Sequence, residues 1–288
     1  MTTPRFFFVF AAVSILAGSL FTSCNLEKEV DIDLPDYDNQ LVVECYLEPG
    51  LPYRLSLSKS AAYFAPFPDP DDIGGFLQEL LVQGAEVRIR HKDQVIALEN
   101  RLSIDLENQR LYNYTGNDLV PLDTLAPFFL EIITPEGKKI TGQTRLLPRV
   151  RIDSVVVEFK EADTLARTLT YFGDPGEGSN FFRFVLRYSN QDSIPLQDFT
   201  LEDRFVDKSF VLGAAYEFSE GDTLVHTLYH VEESYYRFLE SVQRAVFGNG
   251  NPFAQPSPLI SNLGGDAGAV GVFTGLQYDR LVTIIKRK

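Results

Sequence analysis

QLVVECYLE, residues 40–48, places Leu41, Val43, Cys45 and Leu47 on one side of an extended chain and Val42, Glu44, Tyr46 and Glu48 on the other. Successive side chains of a strand point to opposite faces, so this alternation predicts a strand with one face in a core and one in water. YRLSLSKS repeats the pattern, with Tyr53, Leu55 and Leu57 against Arg54, Ser56 and Ser58. AEVRIRH does so again, with Ala85, Val87 and Ile89 against Glu86, Arg88 and Arg90. Further strands are expected at QVIAL (94–98), LYNYT (111–115), FFLEIIT (128–134) and KKITGQ (138–143), separated by turns such as Pro135-Glu136-Gly137. Short strands at this spacing, with no helical period between them, predict an antiparallel β-sandwich of immunoglobulin or transthyretin type over 38–148.

LLPRVRIDSVVVEF reads as a crossing point, where Pro148 closes one unit and Val155, Val157 and Phe159 open another. The span 149–288 then reads as a second β-rich unit, with strands in FFRFVLRYS (181–189), SFVLGAAYEF (209–218), DTLVHTLYHV (222–231), VGVFTG and YDRLVTIIK. One helix is expected near 233–247, where Tyr235, Leu239, Val242 and Val246 recur at helical spacing. Glu232 and Glu233 complement the dipole at its start, and Gly248 supplies a stop. The mostly β architecture suits a chain rich in Phe and Tyr and devoid of Trp.

Upstream, FFFVFAAVSILAGSLF (6–21) follows Arg5 and ends at Thr22-Ser23-Cys24. The run falls short of the roughly 20 residues that span a bilayer, and Glu27, Glu29, Asp31 and Asp33 follow it in place of a basic stop-transfer flank. Residues 1–23 are therefore expected to be a signal peptide, with an acidic tether over 24–37. A secretory signal ending at a cysteine resembles bacterial lipoprotein signals, in which the thiol is acylated. That resemblance implies a lipid, palmitate among its chains, on Cys24. The alternative is an ordinary secretory signal with a chance cysteine. Lipidation would leave Cys45 without a disulfide partner, and its place in a strand reads as a small core side chain.

The net charge of −14 excludes electrostatic binding to nucleic acid, and it also excludes adhesion to anionic lipid through a basic patch. Attachment to a membrane must then be covalent. No GxSxG elbow, HExxH pair or phosphate-cradling glycine loop is present. His226 and His230 are four apart, but on a strand that separates them by roughly 13 Å, too far to share one ion. His91 has no serine or cysteine partner in view. No catalytic residue, cofactor or metal is expected, and the chain reads as a binding protein and not an enzyme.

Two loops carry candidate contacts. AAYFAPFPDP interleaves Tyr63, Phe64 and Phe67 with prolines, which keeps these rings out of a sheet interior; they either meet a partner or fold back over the core. GNGNPFAQPSP places Phe253 in the same position of choice. DPDDIGG offers Asp69, Asp71 and Asp72 as weak calcium ligands, although Glu79 falls short of the closing position of a calcium loop. The other reading is a solvated turn.

Several pieces in order resemble the Bacteroidota lipoproteins grouped as domain of unknown function 4249 (DUF 4249). They are VDIDLPDYDNQLVVECYLE, YRLSLSKSAAYF, VQGAEVRIRHKD, LLPRVRIDSVVVEF, FGDPGEGSNFFRFVL, EDRFVDKSF, VEESYYRFLESVQ and NPFAQPSPLISNLGGDAGAVGVFTG. Phe181 and Phe182 stand where tyrosines are expected, and the Gly264–Gly268 loop is longer than usual. The resemblance implies an outer-membrane lipoprotein without known enzymatic activity, often encoded beside TonB-dependent receptors. It also implies an accessory or ligand-capture role, with such a receptor as partner. Glu27, Glu29 and Asp31 resemble an export signal toward the cell surface; the periplasmic face is the alternative orientation. The competing functions are a calcium-dependent envelope hydrolase and an adhesin-like structural protein.

Overall fold

A computed structural model describes residues 39–61, 69–106, 108–160, 164–176, 178–190, 194–204, 209–249 and 257–287. Cys24, Tyr63, Phe64, Phe67 and Phe253 lie outside them.

The first strand, β1 (Leu41–Leu47), pairs antiparallel with β2 (Pro52–Lys59). Beyond them come β3 (Glu86–His91), β4 (Gln94–Asp105), β5 (Arg110–Leu119), β6 (Phe128–Ile133) and β7 (Lys139–Thr144). Where the sequence leads one to expect two facing sheets, all seven strands join one sheet. Two late strands, β14 (Leu263–Gly265) and β15 (Val270–Gly275), complete it in the order β14-β7-β6-β3-β4-β5-β2-β1-β15. Its end strands approach each other, so the nine strands curl into a nearly closed barrel. The alternation noted along the sequence fills its interior: Val43, Cys45, Leu47, Leu55, Leu57, Ile89, Phe128, Ile132 and Ile140 are fully buried together. Burial pushes the Cys45 thiol well up, so it is an inert core group.

β15 joins the sheet through the one parallel pairing among the described residues, with Val42 opposite Val270 and Leu47 opposite Gly275, and comes round to face β7 and β14. Two glycines make it possible. Gly271 has φ +125°, and a Cβ there would meet the Val43 carbonyl oxygen at 2.0 Å. Gly142 on β7 leaves room for the Phe273 ring, which a Cβ would approach to 3.1 Å. Inside the wall, Asn113 accepts from the Leu57 amide at 2.8 Å and donates to the carbonyls of Leu57 and Val82 at 2.9 Å each. This buried amide is fully used, as a polar group in a core must be.

The later strands form two further sheets. Four strands run β11 (Gln197–Glu202), β10 (Phe181–Tyr188), β13 (Thr223–Val231), β16 (Gln277–Ile284); three run β12 (Ser209–Gly213), β9 (Ala166–Gly173), β8 (Ser154–Phe159). One face of β10 and β13 packs on the three-stranded sheet. There Phe172 stacks on Phe210 at 4.5 Å between ring centroids, and Phe182 meets both edge-on. Their opposite face packs on the outside of the barrel, where Phe181, Val185, Tyr229 and Val231 cluster with Val272 and Leu276. Strands buried on both faces give continuous burial, and β13 is buried from His226 to Val231. The sequence divides the chain at 148/149; in the structure β14 and β15 cross that line to join the first sheet.

Among the described residues two α-helices accompany the sheets. The short α1 (Ile73–Leu80) occupies part of a stretch that reads as a loop, while α2 (Glu233–Asn249) is the expected one. Its buried stripe runs through Tyr235, Phe238 and Ser241, with Leu239 and Val242 half-covered. Val246, expected on the apolar face, is 68% exposed beside the exposed Phe247. No helix among the described residues is long and apolar enough to cross a membrane.

Candidate functional site

The histidines lie where strand alternation puts them, on the face of β13 toward the three-stranded sheet. His226 Nδ1 is 2.8 Å from Thr170 Oγ1, and His230 Nδ1 is 2.8 Å from the Pro148 carbonyl. Each has its own partner, and burial lowers both pKa values, that of His226 to about 4. His91 Nε2 sits 3.2 Å from Asp123 while its ring stacks on Phe128.

Asp69 and Asp72 serve as caps. Asp69 accepts from the Asp71 amide at 2.9 Å, and Asp72 accepts from the Gly75 amide at 3.0 Å at the start of α1. No three His, Cys, Asp or Glu side chains among the described residues are grouped to hold a metal ion.

The concentration of chemistry lies elsewhere, in a cavity of about 170 Å³ where the barrel meets the four-stranded sheet. The β4–β5 turn forms one wall. Asp105 shapes that turn, accepting from the Asn108 amide and side chain at 3.1 Å each and from Arg54 at 3.2 Å. Burial alone would raise its pKa, but these donors and the nearby arginines hold it below the usual carboxylate range. Gln109 takes φ +53° to close the turn, and Arg110 follows directly. Its guanidinium lies 3.7 Å over the Tyr46 ring, forms a hydrogen bond with Tyr112, and makes no ion pair among the described residues.

The facing wall is β10, where Arg183, Val185 and Arg187 share a strand face. Arg183 grips Asp198 of β11 with two bonds, Nε to Oδ1 at 2.7 Å and Nη2 to Oδ2 at 2.5 Å, and its Nη1 donates to Tyr235 at 3.0 Å. Burial opposes the Arg183 charge, but Asp198 and the tyrosines more than offset it and raise the pKa. Tyr229 and Leu276 form the base, Ile194 and Pro195 the rim, and Glu48 completes the lining. Burial pushes the Tyr229 hydroxyl up to about 12, so it stays protonated as a donor.

Three guanidinium groups thus gather in a chain of net charge −14. Sequence alternation missed this because it assigns arginines on a strand to water. The usable signal was FFRFVLRYS, where Arg183 and Arg187 share a face with Phe181 and Val185. Charged side chains on an apolar strand face imply a partner or a site.

No curated protein matches the chain. Among solved structures, a DUF4785 family protein from Legionella pneumophila subsp. pneumophila aligns with a TM-score of 0.24 and 15% identity. The alignment covers 65% of this chain and 50% of that one, so the chain spans about half the length of that protein. Residues 27–281 match the domain of unknown function DUF4249, and the chain belongs to that family.

Proposed function

We propose that this is a lipid-anchored, surface-facing binding protein of the outer membrane that captures a ligand beside a TonB-dependent transporter. The observation that carries the ligand-capture reading is the arginine-lined cavity. It offers fixed guanidinium and amide donors over an apolar base, the composition of a recognition site. Its described lining residues include no histidine, serine, cysteine or lysine to act as nucleophile or neutral-pH proton carrier, which favours binding over catalysis. Anchorage rests on the apolar run ending at Cys24 and the acidic residues after it. Acyl chains contribute about 0.8 kcal/mol per buried methylene, so two or more hold a protein on a bilayer durably.

A tag after Lys288 allows purification from detergent-solubilised outer membranes. The expected result is co-purification of a TonB-dependent transporter, incorporation of labelled palmitate, and release of a Cys24→Ala form from the membrane fraction. Recovery without any such transporter, or Cys24→Ala fractionating with membranes as before, would refute the respective half.

A further inference from the structure

We infer that the cavity takes an organic monocarboxylate with an apolar body, its carboxylate gripped by Arg110. The inference rests on the ligand-capture reading above and adds the chemical class. Of the lining arginines, Arg183 already has both nitrogens of one edge on Asp198 and a third on Tyr235. Arg110 is the one that is half-buried, close-stacked and without an ion pair among the described residues. Its guanidinium carbon sits over the Tyr46 ring and one N–H is spent on Tyr112. Its other N–H groups remain to bond a carboxylate.

Charge selects the valence of the anion. Arg183 is neutralised by Asp198, while Arg110 has no ion pair among the described residues, a local excess of one positive charge. A monoanion neutralises it. A dianion such as phosphate would leave the enclosed site net negative, within a chain already at −14. Val185, Ile194, Pro195 and Leu276 supply the apolar side, and a volume of about 170 Å³ admits a body of roughly half a dozen heavy atoms. Leu276 and Glu48 also line a neighbouring depression of about 450 Å³ with Leu51 and Leu122, giving a longer body a place to continue.

The chemistry fits both a free organic acid and the C-terminal residue of a peptide. Calorimetric titration of the full chain with hexanoate, hexanamide, inorganic phosphate and a pentapeptide ending in free leucine separates them. Hexanoate is expected to bind at least tenfold tighter than hexanamide, with phosphate neither binding nor competing. Binding of hexanoate but not the pentapeptide assigns the free acid; pentapeptide binding of equal or greater strength assigns the chain end.

Arg110→Gln is expected to weaken hexanoate at least tenfold without changing hexanamide. Arg110→Lys, which keeps the charge and the stem, covers the case in which Arg110→Gln does not fold, and should weaken hexanoate severalfold. Hexanamide or phosphate binding as tightly as hexanoate, or Arg110→Lys binding hexanoate like the parent, would overturn the ligand class while leaving a binding cavity. No saturable binding of any of the four by the folded chain would overturn the ligand-capture reading as well.

Discussion

The barrel and the paired later sheets solve the same problem, a β core with polar groups inside it, in different ways. In the barrel the buried amide of Asn113 spends its oxygen and both hydrogens on backbone groups of two neighbouring segments. Between the later sheets, His226 is fully buried with Nδ1 on Thr170 and Nε2 without a hydrogen-bond partner. The first arrangement fixes strand register and has nothing to titrate. The second depends on one ring staying neutral, so it ties the stability of that region to pH.

The largest expected effect tests the barrel's closure. Gly271→Val puts a branched side chain at a positive φ with its Cβ inside contact distance of the Val43 carbonyl. A loss of about 5 kcal/mol or more is expected, read as failure to fold or a collapse of the denaturation midpoint. A small effect there would mean that β15 does not close against β1.

Asn113→Leu is next. It leaves the Leu57 amide unpaired in the core, while the Leu57 carbonyl keeps the Val82 amide at 3.0 Å and the Val82 carbonyl keeps the Tyr114 hydroxyl at 3.0 Å. With three hydrogen bonds lost at about 1 kcal/mol each and one buried amide left unpaired, a loss of roughly 3 kcal/mol is expected by urea unfolding at pH 7.

The pH dependence follows in size and belongs to the other region. His226 is held at about 4 by burial, against 6.5 unfolded, so the unfolded chain binds more protons between those values. Stability is then full above pH 6.5 and falls as pH drops toward 4, by about 3 kcal/mol in all. His230, lowered by burial despite its bond to Pro148, acts in the same direction. Denaturation midpoints across pH 4–7 should show a slope that His226→Gln reduces. An unchanged slope would show that the ring is not protonation-sensitive where it sits.

The smallest effect is expected at the end of α2. Val246→Ser and Phe247→Ser remove exposed apolar groups and should move stability by no more than about 0.5 kcal/mol.

Much of the barrel was legible because its strands bury one face each. Leu41 to Leu47, Tyr53 to Leu57 and Ala85 to Ile89 alternate plainly, and the observed burial follows them. What was not legible is that β15 returns to lie beside β1, since a side-chain period fixes faces and says nothing of distant partners. β9 escaped notice because its buried positions include Thr168 and Thr170, which read as polar. On α2 the stripe runs one step differently, since Phe238 and Ser241 take the interior places that spacing alone gave to Leu239 and Val242. The candidate site was the least visible part. Asp69 and Asp72 drew attention by composition and turned out to cap turns, whereas Arg110 and Arg183 meet only through the packing of the barrel on β10.

The parallel pairing of β1 with β15 also sets an order of events during synthesis. Val42 leaves the ribosome long before Val270, so one border of the growing sheet stands bare until β15 has been made. Unpaired strand borders recruit other strands, and a truncated product ending before β15 would present that border permanently. Shortened forms of this protein should therefore clump, and a holding chaperone should bind them through the segment around Leu41–Leu47.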